Sequence, residues 1–228
     1  MRIDVAFTPA EEASARIGIV VDVIRATSSI AQALASGYER VLCCAEIDDA
    51  WTLRRELGAE AVVGGERNAV VVEGFDVGAS PREFALAPRA KTLILTTTNG
   101  TRSILTAASR CEIVLIGSLL NLSAVARAAR EAGGDVAIIC SGFKGAFAID
   151  DAYCAGRIVA ALDGDRSDAA IAAEVIANAW PDPLEGLNAR TYGPPGLEED
   201  ILFCSRESVL PVVPRLSGMV GVAAEIVP

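Results

Sequence analysis

The 228-residue sequence contains no histidine. This absence excludes histidine phosphotransfer and Ser-His or Cys-His nucleophile pairs. It also argues against most zinc and non-haem iron sites, because histidine is the commonest ligand of such metals. Carboxylates, hydroxyls, arginines and lysines must therefore carry any reaction.

Positive charge is scarce: 20 Lys and Arg stand against 30 Asp and Glu, which gives a net charge of −10 and a pI of about 4.6. This balance argues against nonspecific attraction to nucleic acid or to an anionic membrane. The sequence also lacks a bilayer-length apolar run and, in MRIDVAFTPAEE, the apolar core of a signal peptide. We expect a cytoplasmic protein whose partner is a small molecule and not nucleic acid or a membrane.

The cysteines lack the C-x-x-C spacing that is typical of zinc and redox sites. Several lie inside apolar runs such as RVLCCA and VAIIC. We therefore expect buried free thiols and not disulfides or zinc ligands at positions 43, 44, 111, 140, 154 and 204.

Hydrophobic residues make up 52% of the chain, enough for the core of one domain over residues 1–228 or of two closely packed α/β halves. Short apolar β-branched runs such as RIGIVVD, KTLILT and DVAIIC alternate with helical patterns such as ATSSIAQALASG. This alternation predicts a three-layer α/β/α fold with a largely parallel or mixed central sheet. The Pro- and Gly-rich segment 178–200 is expected to be a surface loop.

Polar residues follow four of the predicted strands. In an open α/β sheet, ligands bind beyond the carboxyl ends of the strands, where helix N-termini supply unpaired N–H groups. The candidate residues at these positions are Asp22, Arg25, Thr27, Glu66, Arg67, Thr97, Thr98, Asn99, Gly100, Thr101, Ser141, Gly142 and Lys144. We expect their loops to form one rim around an anion.

Each segment also has a purely structural interpretation. TTTNGT, residues 96–101, is typical of a helix cap with an Asn-Gly turn, and Asp150 and Asp151 would complement a helix dipole. Arg25 and Arg67 are harder to explain in this way, because an arginine near the edge of a sheet needs an anion or solvent. The coincidence of four such loops favours the ligand-binding interpretation.

Long blocks of the sequence carry a family resemblance. DVIRATSSI, GERNAVVVEGFDVGASPREF, TTTNGT and CSGFKGAFAIDDAYCAG, in this order, resemble the signature blocks of the 2-phosphosulfolactate phosphatase family, and EEDILFCSRESVLPVVP is also similar. The resemblance implies an α/β/α fold and a magnesium-dependent acid phosphatase that acts on 2-phospho-3-sulfolactate in coenzyme M biosynthesis. The family pattern favours Gly, Asn and Glu where this chain has Ala69, Ala79 and Asp150.

Phosphate monoester hydrolysis requires neutralised phosphoryl oxygens and an aligned water, and carboxylate-held Mg²⁺ with arginines can supply both. We expect Asp22 and Asp151 to be the principal magnesium ligands or water-orienting bases, with Glu66 and Asp76 as alternates. An aspartyl nucleophile with a second Asp two residues later does not fit, because Ile24 follows Asp22 at that spacing.

Alternatives remain open from sequence. The chain could be a noncatalytic protein that binds a small anion, or a phosphatase that acts on a related phospho-hydroxy acid. A dinucleotide-binding oxidoreductase is disfavoured, because no G-x-G-x-x-G follows the first strands. We also expect a homodimer, to which the C-terminal run SGMVGVAAEIVP could contribute an edge strand.

Overall fold

The computed structural model describes residues 1–193 and 195–228. Within these ranges one mixed sheet has 11 strands. They are β1 (Arg2–Ala6), β2 (Ile17–Val21), β3 (Arg40–Cys43), β4 (Ala61–Arg67), β5 (Val70–Val71), β6 (Thr92–Thr96), β7 (Ile113–Gly117), β8 (Val136–Cys140), β9 (Asp165–Arg166), β10 (Arg215–Val220) and β11 (Ala223–Val227).

The helices of the same ranges alternate with most of these strands. They are α1 (Ala26–Ala35), α2 (Ile47–Leu57), α3 (Pro81–Phe84), α4 (Gly100–Ala108), α5 (Leu122–Ala132), α6 (Ile149–Ala160), α7 (Asp168–Ala179), α8 (Pro183–Asn188) and α9 (Glu198–Cys204), with a 3-10 turn at Gly58–Glu60. The predicted α/β class is confirmed, and the six cysteines are free, as expected.

The sheet consists of two parallel blocks joined by a hairpin. The first block is β4–β6–β3, and the second is β7–β2–β8–β1–β9. Strands β2, β6 and β8 are buried at all five positions, as expected of parallel strands covered on both faces. Strand β5 pairs antiparallel with β4 at one end of the order.

The hairpin β10–β11 reverses the strand direction between the blocks. The pairings β3–β11, β11–β10 and β10–β7 are all antiparallel, so the two blocks run in opposite directions. The β10–β7 pairing has a single register pair, Arg215 with Leu115, beside a hydrogen bond from Ile116 N to Pro214 O of 2.9 Å. In a flat sheet, opposite directions would place the carboxyl ends of the two blocks at opposite edges.

Helices α1 and α4 explain why the carboxyl ends nevertheless meet. Helix α1 contacts β3 and β7 and so packs against both blocks, whereas α4 contacts β2, β7 and β8 of the second block and β11 of the hairpin. One hydrophobic cluster accordingly joins Val20 and Ile139 of the second block to Leu95 of the first through Ile30 of α1 and Ile104 of α4. The sheet therefore turns at the β10–β7 junction and encloses these two helices. Residues 26–34 of α1 are all buried, as expected of an enclosed helix.

Two expectations about the C-terminal third of the chain are wrong. The segment 178–200 contains α8 and the start of α9, and Leu187 is fully buried, because Asp182 caps a helix that begins at Pro183. The run SGMVGVAAEIVP forms most of β10 and β11, and β11 lies between β3 and β10 in the sheet and not at an edge. In the described part of the chain, no helix is long and apolar enough to cross a membrane.

Candidate active site

A cavity of about 250 Å³ lies where the carboxyl ends of both blocks meet. Its lining includes Asp22 after β2, Glu66 at the end of β4, Asn99 after β6 and Lys144 after β8. Arg190, after α8, also lines it. Most of the loops that the sequence predicts to form one rim therefore do meet at one cavity.

Asp22 is the most buried charged residue in the lining, with 7% of its surface exposed. Its Oδ1 accepts a hydrogen bond of 3.4 Å from Ala26 N at the start of α1. Its Oδ2 lies against Gly100 at the start of α4, where an added Cβ would come within 2.6 Å of that oxygen. Burial raises the pKa of Asp22 to about 7, with Glu66 and Asp150 adding to the increase, and the Ala26 N–H and Arg25 opposing it.

Asp150 and Asp151 begin α6 beside Asp22 and are each 4% exposed. Burial raises the pKa of both carboxyls, and for Asp151 the charges of Asp150 and Asp22 add to the effect. We call Asp22, Asp150 and Asp151 the acidic cluster. Three neighbouring buried carboxylates repel one another, so the cluster favours protons or a cation.

The two aspartates of α6 have different contacts. Asp151 Oδ1 accepts a 2.9 Å bond from Val23 N, and its Oδ2 accepts a 3.0 Å bond from Gly142 N. This carboxylate therefore links the loops that follow β2 and β8. Asp150 Oδ1 accepts hydrogen bonds from Asp151 N and from the Tyr192 hydroxyl. The Tyr192 bond and the charge of Arg190 both oppose the upward shift of the Asp150 pKa.

Arg25 lines the cavity but is already paired with a carboxylate. Its Nη1 lies 2.6 Å from Asp200 Oδ2, and both side chains are largely buried. Asp200 Oδ1 accepts a 2.6 Å hydrogen bond from the Ser80 hydroxyl. Helix α9 therefore fixes the position of this arginine. Sequence analysis missed Asp200, because nothing in EED links it to a residue 175 positions away.

Glu66 organises two of the loops around the cavity. Its Oε1 accepts a 2.7 Å bond from Thr98 N, and its Oε2 accepts a 2.6 Å bond from Ala69 N. Asn68 and Ala69 both have left-handed backbone angles, with φ of 53° and 62°. Ala69 stands where the family pattern favours glycine, which adopts this conformation without a steric cost.

The TTTNGT segment serves both as a helix cap and as a lining of the cavity. Thr97 N donates to Thr101 Oγ1 over 3.3 Å, and Thr101 N donates to Thr97 Oγ1 over 3.2 Å, which closes the turn into α4. Thr97, Thr98 and Asn99 also line the cavity. Asn99 Oδ1 accepts a 3.4 Å bond from Lys144 N, so this loop contacts the turn after β8. Of the other predicted residues in these loops, Gly100 contacts Asp22, and Gly142 contacts Asp151.

Eight of the predicted residues are not part of the cavity lining: Thr27, Arg67, Asp76, Gly100, Thr101, Ser141, Gly142 and Asp151. Arg67, whose loop was expected to form part of the rim around the anion, instead donates bonds of 2.9 Å from Nη2 to Ala45 O and Thr96 Oγ1. Asp76 accepts a 2.9 Å bond from Val63 N and lies near Arg54. The Thr27 hydroxyl donates to Asp22 O over 2.9 Å. The buried Ser141 hydroxyl has no hydrogen-bond partner in the described residues.

Arg190 and Tyr192 were missed, because they lie in the segment predicted to be a surface loop. The Tyr192 ring stacks on the Phe143 ring with centroids 4.7 Å apart and an interplanar angle of 23°. Lys144 Nζ lies 5.4 Å from the Phe143 centroid. The one available signal was the pair of aromatic and cationic residues within ARTYG. Such a signal does not show which residues Arg190 and Tyr192 contact.

Fold and site together define an α/β protein with a cavity at the carboxyl ends of its strands, lined by the buried Asp22 and by Arg25, Lys144 and Arg190. The chain belongs to the 2-phosphosulpholactate phosphatase family, whose model matches residues 5–218. A relative from Thermus thermophilus is 37% identical over 98% of both chains. One from Clostridium novyi is 36% identical over 86% of this chain and 87% of its own. Both carry the name "Probable 2-phosphosulfolactate phosphatase".

Proposed function

We propose that this protein is a magnesium-dependent phosphoric monoester hydrolase that converts 2-phospho-3-sulfolactate to 3-sulfolactate and phosphate, the type of step that supplies coenzyme M biosynthesis. Membership of the family and the names of the relatives support the substrate. The observation that carries the reaction type is the buried Asp22 carboxylate in a cavity also lined by Arg25, Arg190 and Lys144. In a protein that only bound an anion, Asp22 would repel that anion unless a cation lay between the two.

The residues present fit a magnesium ion that is held mainly by substrate and water. Magnesium in phosphoryl-transfer sites typically uses one or two carboxylates, with substrate phosphate and several waters. Residues 1–193 and 195–228 contain no group of three or more Asp, Glu or Cys side chains that could hold a metal. In the same ranges, Asp22 Oδ2 accepts no hydrogen bond, although the oxygen faces the start of α4. Asp22 would therefore hold the ion, with Asp150 as a second carboxylate, since only its Oδ1 accepts hydrogen bonds from the described residues.

A bound magnesium would neutralise charge on the phosphoryl oxygens. The protein's own residues would bind and orient the ester. Arg25, held by Asp200, keeps guanidinium N–H groups beyond Nη1 that could meet phosphoryl oxygens. Thr98 and Asn99 line the cavity beside the start of α4, whose N-terminal N–H groups favour an anion.

Asp151 and Glu66, expected from sequence as a magnesium ligand and its alternate, have a different assignment in this proposal. Their carboxylate oxygens accept bonds from the backbone N–H groups of the surrounding loops. We therefore assign both residues to positioning of the loops. Arg67 and Asp76 have no role in binding the substrate.

Phosphate release from 2-phosphosulfolactate tests this function directly. We expect turnover with Mg²⁺ and its loss with a chelator. Asp22→Asn should lower kcat/KM by about 100-fold or more, because a neutral amide is a weak magnesium ligand. Thermal unfolding with and without Mg²⁺ gives a second measurement, since a bound ion raises Tm. Asp163→Asn, at an exposed position after α6, is the matched control. Full activity of Asp22→Asn, or activity that persists in chelator, would contradict the metal assignment.

A further inference from the structure

Two cationic side chains in the cavity have no ion-pair partner among residues 1–193 and 195–228. Arg190 and Lys144 both line the cavity, and in the part of the chain that the structure describes neither forms a salt bridge. Arg25, by contrast, is bound to Asp200. In a protein with a net charge of −10, two unpaired cations beside a buried acidic cluster require an explanation.

The backbones that carry these two cations are fixed to each other and to the acidic cluster. The Phe143–Tyr192 stack joins the turn of Lys144 to the segment 189–193. Tyr192 donates its hydroxyl to Asp150, and Lys144 N donates to Asn99 Oδ1 over 3.4 Å. Arg190 Nη1 lies against Gly193, where an added Cβ would come within 3.2 Å of it. The backbone is thus held in place here, while the charged ends of both side chains have no carboxylate partner in the described part of the chain.

Arg190 lies near the acidic cluster but is not paired with it in the described residues. It is near enough to Asp150 to oppose the upward shift of that pKa, yet it forms neither a salt bridge nor a side-chain hydrogen bond with Asp150 among the described residues. Its planar guanidinium suits a carboxylate or sulfonate, whose oxygens can accept two parallel N–H bonds. Lys144, whose Nζ lies 5.4 Å from the centroid of the Phe143 ring, adds a second positive charge.

We propose that Arg190 and Lys144 bind the acid group of the substrate that is not cleaved, and that Arg190 thereby determines specificity for phosphate esters of hydroxy acids. This inference rests on the proposed phosphatase function and adds that different residues of the cavity bind different groups of the substrate. Asp22 and Arg25 serve the phosphoryl group, and Arg190 and Lys144 serve the carboxylate or sulfonate.

A pair of matched esters separates this role from phosphate binding. 2-Phospholactate and isopropyl phosphate differ only in that a methyl group replaces the carboxylate. For Arg190→Gln we expect kcat/KM to fall roughly 10- to 100-fold on 2-phospholactate, the usual effect of losing one charge-assisted hydrogen bond, and less than about 3-fold on isopropyl phosphate. Arg190→Lys should restore part of the preference for 2-phospholactate over isopropyl phosphate. An equal loss on both esters, or no loss on either, would overturn the proposal.

Binding of 3-sulfolactate, measured by calorimetry in the presence of Mg²⁺, tests the subsite without turnover. Wild type should bind it, and Arg190→Gln and Lys144→Gln should each weaken binding about 10-fold. Arg127→Gln and Lys91→Gln, at exposed salt bridges outside the cavity, are the matched controls. If wild type does not hydrolyse 2-phosphosulfolactate, the proposed function fails, and this binding measurement still decides the subsite. Unchanged binding in Arg190→Gln, or no binding to wild type, would overturn it.

Discussion

The carboxylates near the cavity are fixed by hydrogen bonds, whereas two of its cationic side chains are much less constrained. Asp22 and Asp151 are held by the backbone N–H groups of Ala26, Val23 and Gly142, so their positions are set by the ends of β2, β8 and α1. Arg190 and Lys144 extend from loops and lack salt bridges in residues 1–193 and 195–228. A site with this division holds its carboxylates rigidly and leaves its cations free to adapt to a bound molecule.

The Arg25–Asp200 pair gives a prediction at the residue scale. Asp200→Ala leaves a largely buried guanidinium unpaired and removes the partner of the Ser80 hydroxyl. We expect the free energy of unfolding to fall by about 3 kcal/mol, as for other buried pairs that lose one partner. Urea denaturation measures it. Glu199→Ala, at the neighbouring exposed position, should change stability by less than about 0.5 kcal/mol. Equal effects of the two substitutions would contradict a stabilising role for the pair.

At the scale of elements, short polar turns set the geometry of the site. The turn at Asn68 and Ala69 returns the chain from β4 to β5 and places Ala69 N on Glu66. Two consecutive residues in the left-handed region are unusual outside glycine, asparagine and aspartate. The Glu66 carboxylate stabilises this turn, because one of its oxygens accepts a hydrogen bond from Ala69 N while the other accepts one from Thr98 N.

Ala69→Gly should therefore stabilise the protein. Glycine removes the steric cost of a φ of 62° but increases the entropy of the unfolded chain, so we expect a net gain of about 0.5 kcal/mol in the free energy of unfolding. Ala172→Gly, the same substitution at an exposed position inside α7, should instead lose about 1 kcal/mol. Denaturant titrations of both variants measure this contrast. A loss in both would show that the turn is not strained by alanine.

The sequence predicts the elements better than their arrangement. Strands such as β2 and helices such as α1 follow directly from apolar runs and helical periodicity, because those signals are local. The loop ends that carry Asp22, Glu66 and Thr98 were predicted for the same reason. Asp200, Arg190 and Tyr192 were not, because their partners lie far away in the chain and a burial pattern does not identify a partner. Arg67 shows the converse, since its backbone carbonyl partner on Ala45 has no sequence signature.

At the scale of the whole molecule, the site depends on how the two blocks are joined. The blocks run in opposite directions, yet α1 packs against both of them and residues at the strand ends of both blocks line one cavity. This arrangement could not be predicted, because strand order and direction depend on pairings such as β3–β11 that are remote in sequence. The C-terminal hairpin is thus part of the structure that forms the cavity, although it lies outside the cavity lining.

The β3–β11 pairing gives a prediction about pH. Arg40 Nη1 of β3 lies 2.8 Å from Glu225 Oε1 of β11, and the Ser217 hydroxyl of β10 donates to Glu225 Oε2 over 2.7 Å. The Ser217 hydrogen bond and then Arg40 lower the pKa of Glu225 below its usual value of 4.5. Because the folded pKa is the lower one, this contribution to stability is present above about pH 4.5 and is lost as the pH falls through the folded pKa.

Glu225→Gln should therefore be less stable than wild type at pH 7, by about 0.5 to 1 kcal/mol for a partly exposed pair, and the difference should shrink below about pH 4. Urea unfolding of both proteins between about pH 3 and pH 7 measures this difference and cancels the titration of the other carboxyls they share. Glu39→Gln, whose partner Lys91 forms a more exposed pair, should show almost no difference from wild type at any of these pH values. A Glu225→Gln difference that stays constant across the range would mean that the hairpin is joined to the first block by backbone pairing alone and that the charge of Glu225 contributes nothing.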